Sequence, residues 1–225
     1  MNFQAPQHQN RDILETFERF SKKDVAQKYQ NRFQSTKRDR REKKAILKLL
    51  RGIPKSSKIL DIPCGTGRIT RFLYENGYQV VGADSSESMI QIARSISSKD
   101  SISLDFEIQN LFSTTYPDHA FDVLVCNRFF HHLYNSSSRV TALKELARIT
   151  KGPIILSFFY LYSFSGLISF CKKKLFTPDN LDRIPISLKT LEKDIQNAGL
   201  AIREICFTRF LISPQTYLKL EKSQS

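Results

Sequence analysis

The sequence predicts an α/β fold in which helices cover both faces of a mostly parallel sheet. Short apolar runs alternate with segments of helical periodicity along most of the 225 residues. The clearest example is 58–76, where an apolar run leads through Gly65 and Gly67 into apolar residues at helical spacing. Because strands and helices alternate throughout, we expect parallel strands joined by right-handed crossovers.

The chain before this glycine turn is first polar and then basic. Residues 1–12 carry no motif and are expected to be disordered, whereas 13–28 predict one or two short helices. A basic segment from Lys37 leads into apolar residues that end near Gly52, which predicts a helix packed beside the first strand. We therefore expect 1–57 to form a basic N-terminal helical cap on a main domain at 58–225.

The other elements follow in order after the first strand. The pattern predicts helices at 68–76, 86–97, 139–149 and 187–198, and strands at 79–83, 103–108, 121–126, 154–159, 200–206 and 210–220. The second helix is expected to be capped by Ser85 or Ser86. The last two strands, joined by a short turn, are expected to close the sheet.

The long apolar stretch 154–171 is the least ordinary part of the chain. Its length suggests a membrane span, but its first third reads as a strand and the remainder contains several serines and a glycine. The segment 160–176, with three lysines at Lys172–Lys174, instead predicts an amphipathic insertion that covers a ligand pocket. Such a roof suits a hydrophobic or lipid-like ligand and peripheral membrane contact. The alternative is an ordinary helix packed in the core.

The net charge of +13 is unevenly distributed. Lys and Arg outnumber Asp and Glu by fifteen to six in 1–57 and by ten to six in 161–225, but the numbers are equal in 58–160. Basic flanks around a neutral centre suggest an anionic substrate, a lipid head group or nucleic acid as partner, or simply a solvated basic helix. The four cysteines are widely spaced, so we expect no zinc or other metal site and no disulfides. The N-terminus lacks a secretory pattern, and the expected location is cytoplasmic.

The residues around the glycine turn restrict the kind of ligand. Thr70 stands where a dinucleotide fingerprint needs its third glycine, and no phosphate-binding lysine motif follows. Asp61, at the end of the first strand, would repel a phosphate but would suit an ammonium group. Asp84 follows the second strand nineteen residues after Gly65, the spacing at which an acid accepts hydrogen bonds from a ribose. These residues predict a cationic, phosphate-free ligand that contains a ribose.

The motif Asp61-Ile62-Pro63-Cys64-Gly65-Thr66-Gly67 followed by Asp84 resembles the class I S-adenosylmethionine-dependent methyltransferases, of the small-molecule, ubiquinone-biosynthesis-like type. The resemblance covers roughly 22–220 and is strongest over 59–151. It implies a Rossmann-like, seven-stranded, mostly parallel sheet with an antiparallel C-terminal hairpin. It also implies S-adenosylmethionine as cofactor, and methyl transfer to oxygen, nitrogen or carbon of a small or lipid-like molecule. The alternatives are a nucleic-acid methyltransferase that uses the basic N-terminal flank, and a non-catalytic cofactor-binding module.

The resemblance also implies a set of site residues. We expect the cofactor pocket to contain Asp61, Pro63, Cys64, Gly65, Thr66, Gly67, Arg68, Asp84, Ser85, Met89, Asn110, Leu111 and Asn127. We expect the acceptor to meet Tyr29, Arg128, His131, His132 and Tyr160. Asn110 replaces the usual acid, although its amide oxygen can still accept a hydrogen bond from the adenine amino group. His131, just beyond the fourth strand, is the candidate that would orient or deprotonate an acceptor hydroxyl.

Overall fold

The computed structural model describes Ile13 and residues 36–100, 102–176 and 183–223, without the side chains of 172–176. The short helices predicted at 13–28 and the acceptor residue Tyr29 lie outside the described residues, apart from Ile13. The bounds of the N-terminal cap therefore stay a prediction.

The described part of the chain alternates strands and helices in the predicted order. The helices are α1 Lys37–Leu49, α2 Arg68–Glu75, α3 Glu87–Lys99, α4 Ser136–Ile149, α5 Phe164–Phe176 and α6 Leu188–Asn197. The strands are β1 Lys58–Asp61, β2 Gln79–Asp84, β3 Asp105–Ile108, β4 Val123–Cys126, β5 Ile154–Phe159, β6 Leu200–Phe207 and β7 Gln215–Lys222. A short 3₁₀ helix, Phe130–His132, follows β4.

The seven strands form one sheet in the order β3-β2-β1-β4-β5-β7-β6. Strands β1 to β5 are parallel, whereas β7 is antiparallel to both β5 and β6. The structure thus confirms the mostly parallel sheet with an antiparallel C-terminal hairpin. The strand order reverses between β1 and β4, where Asp61 pairs with Val125. In open α/β sheets this is the point at which ligands bind.

The continuous apolar run of β1 is explained by burial on both faces of the sheet. Ile59 belongs to a cluster that contains Ile46 and Leu49 of α1, whereas Leu60 belongs to a second cluster that contains Leu143 of α4. Alternate residues of the strand therefore point into two separate cores, so a polar residue at either position would be buried.

Two predictions about the C-terminal third are wrong. The last strand begins at Gln215 rather than Phe210, because Leu211 adopts left-handed backbone angles and Pro214 has no N–H for a strand ladder. The alternative of a core-packed helix at 160–176 is also wrong, because Phe164, Leu167 and Ile168 of α5 are 40–68% exposed. Within the described ranges, no helix combines the length and apolar character that crossing a bilayer requires.

Candidate functional site

The glycine turn folds back against the carboxyl end of β2. The Cys64 amide donates to the Ala83 carbonyl at 2.8 Å, and the Gly67 amide donates to the Cys64 carbonyl at 3.1 Å. Gly65 and Gly67 have φ angles of 56° and 75°, in the left-handed region that favours glycine. This geometry carries the chain from β1 into α2 with backbone, rather than side chains, facing the switch point of the sheet.

Gly67 has a second constraint, the Phe106 ring of β3. A Cβ at Gly67 would lie 2.7 Å from that ring. We therefore expect Gly67→Ala to lower the free energy of unfolding by about 2–4 kcal/mol, from backbone strain together with overpacking. Urea denaturation measures this loss. Gly77→Ala is the matched control, since Gly77 has a φ of 85° with open space around it, and equal losses in the two variants would show that Phe106 contributes nothing.

Asp61 is a buried carboxylate that is only partly satisfied. Its Oδ2 accepts a hydrogen bond from Thr70 Oγ1 at 2.7 Å, but its Oδ1 has no hydrogen-bond partner among the described residues. Removal from water raises the pKa of Asp61 to about 7, with the hydrogen bond from Thr70 and the charge of Arg68 acting in the opposite direction. The site thus contains an acceptor oxygen that protein groups leave free.

Asp84 lies beside the turn and holds it in place. Its Oδ2 accepts from the Gly65 amide at 2.8 Å, and its Oδ1 accepts from the Ser86 amide at 2.9 Å. Burial raises the pKa of Asp84 to about 6, although these backbone hydrogen bonds oppose the shift. Each carboxylate oxygen retains further acceptor capacity for a ligand.

A buried hydrogen-bond network continues from β4 to β5 and β7. Asn127 Oδ1 accepts from the hydroxyls of Ser157, at 3.1 Å, and Tyr217, at 2.8 Å. The Ser157 hydroxyl also accepts from the Arg128 amide at 2.7 Å, which fixes Arg128 at a φ of 60°. A non-glycine residue with such angles is uncommon, so the surrounding network holds this backbone in a specific shape beside the switch point.

The structure adds two acids of α1 that the sequence analysis missed. Glu42 binds the Arg68 guanidinium at 2.8 Å and the Arg128 guanidinium at 2.7 Å, and Asp39 also pairs with Arg68. Both acids are buried. The acidic positions three residues apart in an otherwise basic helix were the only sequence signal. These ion pairs attach α1 to the edge of the sheet where the glycine turn and the β4 loop meet.

His131 lies just beyond β4, as predicted, in an apolar setting. Its ring stacks on Phe159 with 3.8 Å between ring centroids, and its Nδ1 forms no hydrogen bond with any residue in the described ranges. Burial, above all, lowers the pKa of His131 well below its usual range, so the ring is neutral near pH 7. The His132 ring lies 4.3 Å from it and is also buried.

Gln215, the first residue of β7, was not singled out by the sequence. It pairs with Phe159 across the antiparallel ladder, so the two side chains share one face of the sheet. Its side-chain amide lies near the Tyr217 hydroxyl, yet neither amide atom makes a hydrogen bond of good geometry within the described part of the chain. Gln215 and His131 thus place two unsatisfied, 99% buried polar groups next to the same aromatic ring.

The other predicted residues occupy different parts of this region. Pro63 is half-buried, Cys64, Thr66, Met89 and Leu111 are buried, and Ser85 and Asn110 are exposed. The Asn110 amide oxygen accepts from the Phe112 backbone N–H at 3.0 Å. Tyr160 lies beyond β5 and packs against Phe207 of the edge strand β6.

Parts of the sequence match known methyltransferases. Residues 59–152 match the family model described as "Methyltransferase domain". The protein YqeM of Bacillus subtilis, which bears a methyltransferase name, is 34% identical over 108 residues, 47% of this chain and 43% of that protein. A ubiquinone biosynthesis O-methyltransferase of Pasteurella multocida is 29% identical over 101 residues, 40% of this chain and 42% of that protein. The match therefore spans less than half the length of either relative.

Solved structures share the fold over nearly the whole chain. The magnesium protoporphyrin IX methyltransferase of Synechocystis PCC 6803 with bound SAH superposes with a TM-score of 0.74 at 17% identity, covering 94% of this chain and all of that one. The PH0226 protein of Pyrococcus horikoshii has a TM-score of 0.68 at 20% identity, covering 86% of this chain and 94% of that one. At such identities these likenesses show the fold alone.

Proposed function

We propose that this chain is a class I S-adenosylmethionine-dependent methyltransferase and that it transfers a methyl group from S-adenosylmethionine to a small or lipid-like acceptor, since residues 59–152 match a methyltransferase domain. One observation supports this proposal above all. Asp61, buried beside the glycine turn at the switch point of the sheet, presents a carboxylate oxygen that receives no hydrogen bond from the part of the chain that the structure describes.

The residues around Asp61 fit such a cofactor. A buried ionised carboxylate needs a positive partner, and the ammonium group of the methionine part offers both charge and N–H donors. Asp84 can accept from ribose hydroxyls while it keeps its bonds to Gly65 and Ser86. Asn110 and the buried Leu111 follow the next strand, where they would hold the adenine end.

When bound, S-adenosylmethionine supplies a methyl group on a positively charged sulfur, which an acceptor atom can attack directly. The chain's own part is to hold the acceptor in line and to exclude water. Asn127, Ser157 and Tyr217 serve this purpose through their buried network, which fixes the loop after β4. Asp61 also places a negative charge in the pocket that receives a positively charged ligand.

The acceptor side combines an apolar wall with two polar groups. Phe159 supplies the wall, and the unsatisfied atoms of His131 and Gln215 can donate to or accept from one polar group of the acceptor. A polar group on an apolar body is the chemistry of a phenol, a quinol or an amphiphile. This arrangement supports the small or lipid-like class of acceptor.

We further propose that His131 takes the proton of the acceptor hydroxyl, since a neutral imidazole has one nitrogen free to accept it. His131→Phe preserves a ring to stack on Phe159 but removes both nitrogens. We expect methyl transfer to fall by about 10²-fold or more with unchanged cofactor affinity. His119→Asn is the control, expected to retain activity within about tenfold, because this exposed histidine precedes β4 at the opposite edge of the sheet and asparagine suits its φ of 57°. Equal activity of the wild type and His131→Phe would contradict this role.

A labelling experiment tests the acceptor class. The protein is incubated with methyl-labelled S-adenosylmethionine and, separately, with a bacterial lipid extract, an aqueous metabolite extract and total RNA. We expect label in solvent-extractable or small-molecule products. Label in RNA would instead support the nucleic-acid alternative that the basic N-terminal flank suggests. Binding of the cofactor without labelling of any pool would support a non-catalytic module.

A further inference from the structure

A basic groove lies on the side of the molecule where α1 meets β6. It encloses about 750 Å³. Its lining is cationic along α1 and apolar at the floor. The cationic residues are Arg40, Arg41, Lys43, Lys44, Lys48 and Arg51, and the apolar ones are Ala45, Leu47, Phe72, Cys206 and Phe207. None of these is a residue that we assign to the cofactor or the acceptor.

Most of the positive charge in this groove is uncompensated. Lys43 pairs with Asp39 at 3.1 Å and Lys48 with Glu204 at 3.5 Å. Arg40, Arg41 and Lys44 are exposed, and they make no ion pair with the described part of the chain. Several unpaired cations around one concave surface create a positive potential that attracts anionic groups. The groove is therefore built for an anionic partner rather than for an internal salt-bridge network.

An exposed apolar patch begins where the groove ends. It consists of Tyr162, Phe164, Leu167, Ile168 and Phe170 on or just before α5, and Phe210, Leu211 and Ile212 in the β6–β7 loop, all at least 40% exposed. The loop is fixed to α5, since the Phe164 amide donates to the Leu211 carbonyl and the Ser165 hydroxyl donates to the Ile212 carbonyl, each at 2.7 Å. The patch is thus a defined surface, which we call the α5–loop patch.

Leu211 makes the patch unusual, because its φ of 59° is one that leucine rarely adopts. Asparagine or glycine would be more stable in such a backbone conformation. The chain instead holds a leucine there, 53% exposed to solvent. Leu211 thus exposes an aliphatic side chain in a backbone conformation that is unfavourable for leucine. Such a residue indicates a surface that contacts another molecule.

Phe207 joins the two surfaces. It lines the basic groove and packs against Phe210 of the α5–loop patch, with 5.1 Å between ring centroids. A positively charged surface therefore continues directly into an exposed apolar one. We propose that this combined surface docks the protein on an anionic lipid bilayer. The groove cations would pair with lipid phosphates, and the patch would enter the boundary between head groups and acyl chains.

The composition of the patch favours a bilayer over nucleic acid. A single-stranded nucleic acid is bound by basic grooves whose aromatic rings stack on bases. Four of the eight patch residues are aromatic, but the other four, Leu167, Ile168, Leu211 and Ile212, are aliphatic side chains that cannot stack on a base and that gain free energy in hydrocarbon. This docking goes beyond the proposed methyl transfer and does not depend on it, so the two can fail separately.

Vesicle sedimentation with the full chain tests the proposal. The protein is mixed with vesicles of phosphatidylcholine alone, and with vesicles of phosphatidylcholine and phosphatidylglycerol. We expect sedimentation with the anionic vesicles that weakens as salt is added. The groove variant Arg40→Gln/Arg41→Gln/Lys44→Gln should lose about a hundredfold in apparent affinity. The control Lys144→Gln/Lys189→Gln/Lys193→Gln removes the same charge from exposed positions of α4 and α6, and should lose less than about fivefold.

A second variant separates docking from folding. Leu211→Asn removes the aliphatic side chain and suits the left-handed backbone, so the midpoint of thermal unfolding should stay the same or rise. Vesicle affinity should nevertheless fall by roughly tenfold. Equal losses in the groove and control variants, or full vesicle binding by Leu211→Asn, would overturn the proposal. Binding to single-stranded RNA that needs the groove, without vesicle binding, would overturn it in favour of nucleic acid.

Discussion

Glu42→Ala is expected to lower the free energy of unfolding by about 3–5 kcal/mol, the cost of leaving a buried charge without its partner. Glu42 is 99% buried and pairs with the guanidiniums of Arg68 and Arg128. Arg128 is itself buried and holds an unusual backbone conformation next to the proposed cofactor site. The loss should therefore affect the site as well as the fold. Urea denaturation followed by circular dichroism measures the loss.

Two further variants make this prediction specific. Glu87→Ala removes an exposed acid of α3 that accepts a surface hydrogen bond from Gln91, and should change the free energy of unfolding by less than about 0.5 kcal/mol. The double variant Glu42→Ala/Arg128→Ala should lose less free energy of unfolding than the two single variants lose together, since neither member of this pair is left as an unpaired buried charge. A loss for Glu42→Ala as small as that for Glu87→Ala would contradict the view that these ion pairs attach α1 to the sheet.

Asp61→Asn is expected to stabilise the ligand-free protein, an uncommon result for a change at a buried polar residue. The folded pKa of Asp61 is about 7 against 3.8 for the ordinary side chain, so the folded state disfavours the ionised form. Asparagine preserves an oxygen for the Thr70 hydroxyl and carries no charge. Above pH 7 the free energy of unfolding should rise by about 3–4 kcal/mol.

The pH dependence follows from the sign of that shift. Between about pH 4 and pH 7 the folded protein retains a proton on Asp61 that the unfolded chain releases, so wild-type stability falls as pH rises. Asp84, with a pKa of about 6, contributes in the same direction over a narrower range. The advantage of Asp61→Asn should accordingly be absent near pH 4, grow with pH and level off above pH 7. A control, Asp105→Asn at an exposed position, should show no such trend. An advantage that does not change with pH would contradict the assignment.

The fold could be predicted because its sequence signals are local. The apolar strands, the helical periods and the two turn glycines each act over a few residues, and most observed boundaries differ by one to three residues from those predicted. The C-terminal loop was the exception, because the apolar residues Phe210–Ile212 read as a strand. Only the backbone shows that Leu211 is left-handed and that the loop is fixed to α5.

The arrangement of the candidate site could be predicted in part for the same reason, whereas its role stays a prediction. Asp61 and Asp84 follow their strands directly, so the sheet alone brings them together. Glu42 and Arg128 are separated by 86 residues, and no local pattern indicates that they pair. Gln215 was missed because the predicted start of β7 was wrong. Only the observed register places this residue opposite Phe159, beside the candidate site. Long-range pairings of polar side chains are a property of the tertiary structure rather than of spacing.

The proposed function requires that the protein bind S-adenosylmethionine, and one calorimetric titration tests this binding. S-adenosylmethionine and S-adenosylhomocysteine are titrated into wild type and Asp61→Asn at pH 8, after circular dichroism has shown that both are folded. We expect micromolar binding to the wild type and a loss of at least about tenfold in Asp61→Asn, since the ammonium group loses its charged partner. A folded wild type that binds neither compound, or a variant that binds both equally well, would contradict the proposed site.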